Sequence, residues 1–88
     1  MVERKVKVAI PCGMHIRPAG IVSHTAAGFQ AETKILFGYH VINIASILNL
    51  VASGIQCGDV VSVECDGPDE EAALEGIAAV LQDSTIKQ

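Results

Sequence analysis

Eighty-eight residues allow one domain and are too few for two, so the expected unit is the whole span 1–88. Half of the residues are hydrophobic (50%) while only 3% are aromatic and Trp is absent, so the core has to be built from Val, Ile, Leu and Ala. The formal net charge of −4, with no run of Lys or Arg, argues against a nucleic-acid partner and against attraction to an anionic membrane.

Val6, Val8 and Ile10 alternate with Lys5, Lys7 and Ala9, the period of a half-buried strand, and Pro11-Cys12-Gly13 breaks it. A helix is predicted from about Ile16 to Ala27, with Ala19, Val22, Ala26 and Phe29 turned to the core and Gly28 as its stop. Glu32–Phe37 and Tyr39–Ile42 read as two strands joined at Gly38, a hairpin. Ser46 then precedes a short apolar helix, Ile47 to about Ala52, closed by Gly54. After a turn at Cys57-Gly58-Asp59, Val61, Val63 and Cys65 alternate with Ser62 and Glu64 in a last strand. Asp66-Gly67-Pro68 turns into a final helix from Asp69, whose Leu74, Ile77, Ala78 and Leu81 form a buried stripe. Asp69, Glu70 and Glu71 place negative charge at its positive end. Helices stacked on one face of a mainly antiparallel sheet would bury these stripes, so the expected class is an α+β two-layer sandwich with the order βαββαβα.

Three cysteines, Cys12, Cys57 and Cys65, are an odd number without a CxxC pair, which reads as reduced thiols in a cytosol. Met1-Val2-Glu3-Arg4-Lys5 is charged and does not resemble a signal peptide. The most apolar stretch, Val41 to Ile55, is broken by Asn43, Ser46, Asn49, Ser53 and Gly54 and is too short to span a bilayer. A soluble, cytoplasmic protein is expected.

The residues with most chemical content are Gly13-Met14-His15-Ile16-Arg17-Pro18-Ala19, where the first strand turns into the first helix. Backbone N–H groups at a helix start have no intrahelical partner, and together with the dipole they favour an anion. The same field disfavours imidazolium and so favours a neutral, nucleophilic His15. Arg17 can offer a planar fork of donors to phosphoryl oxygens, and Pro18 fits the first helical turn, where its missing N–H costs nothing. A reactive His carrying a transferable phosphoryl group fits this pattern; a histidine that caps a helix or lies on the surface fits it as well.

The segment closely resembles the G-[LIM]-H-x-R-P-[AV] signature of HPr, the histidine-containing phosphocarrier family of the bacterial phosphoenolpyruvate:sugar phosphotransferase system. The likeness covers essentially the whole chain, including the spacing from His15 to a serine before the second helix. The closing Gly-Pro-Asp-Glu-Glu-Ala-Ala-Leu segment, with Met14, is similar to the nitrogen-related branch. The resemblance implies an open-faced, four-stranded antiparallel sheet in order 1-4-2-3 with three helices on one face. It implies that enzyme I, phosphorylated from phosphoenolpyruvate, gives its phosphoryl group to Nδ1 of His15, and that phospho-His15 passes it to an enzyme II A domain. Arg17 and the helix start would hold the phosphoryl oxygens. No cofactor or metal is implied, and a monomer is expected of a carrier that docks with several partners in turn.

Ser46 is a good N-cap, which is sufficient to explain it. The resemblance adds a second reading, regulatory phosphorylation by HPr kinase/phosphorylase, which would place negative charge beside a docking face. Ile47, Leu48 and Val51 cannot all face the core from so short a helix, so part of this surface, with Ile16 and Gly20, is expected to be exposed near His15. The resemblance makes it the docking face for enzyme I and acceptor domains. Ala27, Ala45 and Asn49 stand where many relatives carry basic residues, which leaves Arg17 as the main positive charge there, joined by His24 when protonated.

Two other readings use the same residues. Cys12, Met14 and His15 could act as soft-metal ligands in a small metal carrier, although Arg17 places a fixed charge beside the cation. A regulatory protein without transfer activity could act through the Ser46 and Ile47 face, although such relatives typically lack the reactive His. His24 and His40 read as surface or boundary histidines, and Cys57 and Cys65, at turn and strand positions, as buried or inert.

Overall fold

In the computed structural model, which describes residues 1–86, seven elements follow one another: β1 (Val2–Lys7), α1 (Ile16–Ala27), β2 (Glu32–Phe37), β3 (His40–Asn43), α2 (Ile47–Ala52), β4 (Val60–Asp66) and α3 (Glu70–Leu81). The last two residues of the expected unit 1–88 lie outside this range. The strands form one four-stranded sheet in the order β1-β4-β2-β3, every pair antiparallel. Three helices cover one face, giving the expected open-faced α+β sandwich.

The period-2 alternation of β4 explains its central place. Val61, Val63 and Cys65 are all buried, and across the ladders Val61 opposes Val6 while Val63 opposes Ile35, so apolar rows run across the sheet under the helices. From above, α1 contributes Ala19, Val22 and Ala26, and α3 contributes Leu74, Ile77, Ala78 and Leu81. Phe29, expected in the core, is half-buried, and its ring packs against Gly76 of α3, where a Cβ would stand 3.3 Å from it.

The first strand differs from its sequence reading in its ladder and not in its faces. Val8 and Ile10 are buried as the alternation requires, but the pairing with β4 ends at Lys7 opposite Val60. Beyond that point Val8 donates to the Asp59 carbonyl (2.8 Å) and accepts from Gly58 N–H (2.7 Å), and Ala9 donates to the Leu81 carbonyl (2.8 Å). The chain therefore leaves the sheet while its side chains stay in the core. At the other end the strand reaches back to Val2, and Arg4 forms an ion pair with Glu75 of α3.

Asp69 also has a role its position in the sequence does not reveal. Its carboxylate makes no capping bond to its own helix. It accepts from the N–H groups of Gln30 and Ala31, both at 2.9 Å, and so holds the α1–β2 connection against the start of α3. The Gln30 N–H first, with that of Ala31, keeps the Asp69 carboxyl below the usual carboxylate range. A depressed folded-state value stabilises the fold above the ordinary aspartate range near pH 4, and that contribution is lost as pH falls through the folded value. Asp69→Ala is therefore expected to unfold at lower urea concentration than the wild type at pH 7, with the difference closing toward pH 3. A difference that persists unchanged at pH 3 would show that the charge is not responsible.

Candidate functional site

The loop between β1 and α1 begins with a tight turn, in which Gly13 donates its N–H to the Ile10 carbonyl at 3.0 Å. Gly13 has φ +74, and a Cβ there would stand 2.7 Å from the Ile55 carbonyl oxygen and 3.1 Å from Gln56 Cα. Only glycine lets this loop lie against residues 54–57. Met14 takes up the contact through its N–H, which donates to the Ile55 carbonyl at 3.0 Å. Its side chain is buried, anchoring the loop in the core.

His15 follows in extended conformation (φ −81, ψ 178), so it emerges on the opposite side and is exposed, as are Ile16 and Arg17. The first bond of α1 runs from Ala19 N–H to the His15 carbonyl at 2.9 Å. Pro18 is buried and has no N–H, so the donors at the helix mouth are those of Ile16 and Arg17. His15 stands at the positive end of the α1 dipole with a guanidinium two residues on.

α2 is short, and Ser46 starts it. The backbone at Ser46 is extended (φ −102, ψ 110) and its Oγ accepts the Asn49 N–H at 3.2 Å, the predicted N-cap. Leu50 is the one residue of this helix that is fully buried; Ile47 and Leu48 are 42% and 80% exposed, and Val51 is half-buried. On α1, Ile16 is 73% exposed, Gly20 is half-buried, and Ile21, not anticipated from the sequence, adds a further exposed side chain. Ser23 Oγ donates to the Ala45 carbonyl at 3.1 Å and ties α1 to the segment entering α2.

A shallow cavity of about 220 Å³ opens beside His15, walled by Ile16, Val51, Ile55 and Gln56. Ile55 and Gln56 reach the site from forty residues downstream, and nothing local in the sequence points to them. A larger recess, about 530 Å³, lies elsewhere, between the end of α1 and the β2–β3 edge, and contains none of the predicted site residues.

The soft donors of the metal reading differ in exposure, Cys12 being half-buried, Met14 buried and His15 exposed, and among the described residues no group of three or more His, Cys, Asp or Glu side chains is gathered as metal ligands. The cysteines are free: Cys12 is half-buried, Cys65 is buried in its strand and Cys57 is exposed in a turn. Burial first, then the charges of Glu70 and Asp69, pushes the Cys65 thiol up. His24 and His40, read as surface or boundary residues, are both exposed. No helix among the described residues is long and apolar enough to cross a membrane.

Comparison with known proteins gives a consistent result. The family model described as the PTS HPr component phosphorylation site matches residues 2–83. Over 82 residues the chain is 40% identical to phosphocarrier protein HPr of Mycoplasma pneumoniae, covering 90% of this chain and 93% of that protein. It is 31% identical over 83 residues to the HPr-like protein Crh of Bacillus subtilis, covering 94% and 98%. The crystal structure of HPr-C-His from Thermoanaerobacter tengcongensis matches with a TM-score of 0.91 at 25% identity, covering 100% of this chain and 99% of that one.

Proposed function

The chain belongs to the HPr family, phosphocarriers of the phosphotransferase system, and from that premise we propose that it accepts a phosphoryl group on His15 from enzyme I and donates it to an enzyme II A domain. In the first step the Nδ1 lone pair attacks phosphorus, and the P–N bond forms as the bond from phosphorus to enzyme I breaks. In the second the P–N bond breaks as the acceptor's bond forms, which returns His15 to its starting state. The work is positioning and charge stabilisation. Arg17 and the N–H groups of Ile16 and Arg17 hold the phosphoryl oxygens, and Ile16, Gly20, Ile47, Leu48 and Val51 form the docking face.

The observation that carries this reading is the placement of His15, exposed at the mouth of α1 between a buried Met14 anchor and Arg17. Incubation with phosphoenolpyruvate and enzyme I is expected to give one acid-labile phosphoryl adduct by intact mass. An unmodified chain, with an enzyme I active on another HPr, would favour the regulatory reading, which the likeness to Crh supports.

Ser46 is the proposed regulatory position. A phosphate on its Oγ would lie at the start of α2 beside exposed Ile47 and Leu48 and would weaken docking of an acidic partner. Incubation with ATP and HPr kinase/phosphorylase is expected to give an acid-stable adduct that Ser46→Ala lacks; an adduct retained in that variant removes the assignment.

A further inference from the structure

We propose that Gln56 is a further phosphoryl-binding residue, its side-chain amide donating through Nε2–H to an oxygen of the group carried on His15. The inference rests on the phosphocarrier reading and names a group on a segment far in sequence from Arg17. Gln56 shares the roughly 220 Å³ cavity with His15, and the other side chains there, Met14, Ile16, Val51 and Ile55, are apolar. Gln56 therefore supplies the side-chain hydrogen-bonding group there.

Its placement is determined by the backbone. The Gln56 N–H donates to Asp59 Oδ2 at 2.8 Å, its carbonyl accepts the Asp59 N–H at 3.1 Å, and the neighbouring Ile55 carbonyl accepts the Met14 N–H at 3.0 Å. The segment is held on one side by its own turn and on the other by the His15 loop. The side chain folds toward that loop: its terminal oxygen lies 3.3 Å from where a Cβ on Gly13 would stand. A neutral carboxamide there can hydrogen-bond a phosphoryl oxygen without adding a fixed cation, so the group is held and can still leave.

The test uses phosphoramidate, which phosphorylates histidine without enzyme I, on the wild type, Gln56→Ala and Gln56→Glu. The ³¹P resonance of phospho-His15 is followed against pH, and the share of phosphoryl group held at equilibrium is measured in competition with a reference HPr. Loss of the donor is expected to raise the midpoint of the phosphoryl ionisation and lower the share about tenfold in Gln56→Ala, the order of a hydrogen bond to a charged group. Gln56→Glu, which keeps the shape and adds a negative charge, is expected to lower it further. A purely packing role would leave Gln56→Glu close to the wild type. Wild-type midpoints and shares in both variants would overturn the proposal. Failure of the phosphocarrier reading would be seen separately, as a wild type that enzyme I does not modify.

Discussion

His15→Ala is expected to remain folded and to take up no phosphoryl group from enzyme I. The side chain is exposed, so its truncation removes little packing, and a surface change of this kind is usually worth within about 0.5 kcal/mol. The proposed transfer depends on it entirely. The Arg17 guanidinium offers donors and no nucleophilic lone pair. Cys12 is half-buried and belongs to the turn before the loop; Ser46 Oγ is engaged in capping α2, and an ester there would survive acid. Intact mass before and after mild acid, with circular dichroism as the control for folding, checks this. An acid-labile adduct on a folded His15→Ala would mean another acceptor, and His15 would lose its assigned role.

Gly13→Ala is expected to reduce both stability and phosphoryl uptake, although it adds only a methyl group. Two costs combine. The residue has φ +74, in the left-handed region, where a Cβ costs roughly 1–2 kcal/mol. The Cβ would also stand 2.7 Å from the Ile55 carbonyl oxygen, which is backbone and cannot rotate away. Relieving that contact has to move the loop or the 54–57 segment, an overpacking cost of about 1–3 kcal/mol. At 4–8 °C per kcal/mol for a chain of this size, Tm should fall by about 10 °C or more. The movement acts directly on the Met14–Ile55 hydrogen bond and so on the presentation of His15. Gly38→Ala is the control: it has a similar positive φ (+62), but a Cβ there meets no atom within 4 Å. If both variants lose equal stability and both are phosphorylated normally, the close approach at Gly13 has no functional weight.

The site was legible in part. His15, Arg17 and Pro18 could be read because they lie within a few residues of one another and the roles proposed for them follow from a strand–helix junction. Ser46 could be read for the same reason, since an N-cap acts on an N–H three residues on. Ile55 and Gln56 could not. They reach His15 because β4 returns beside β1, and the turn before β4 is fastened to Val8 through Gly58 and Asp59. Gly13 was legible as a turn residue, but its tighter requirement, contact with a carbonyl forty-two residues away, was not.

The sequence by itself determined the number, type and order of the elements and the faces that β4 and α3 bury, because period 2 in Val61, Val63, Cys65 and period 3.6 in Leu74, Ile77, Ala78, Leu81 are properties of the local backbone. Its short signature also identified the family. Only the tertiary structure decided which residue of α2 enters the core, Leu50, and that Ile47 and Leu48 stay outside. It likewise decided that Asp69 holds the Gln30–Ala31 backbone, where its position suggested service to its own helix. In each case the outcome depends on how two segments distant in sequence dock, and a polar or apolar group takes whichever partner that docking brings within reach.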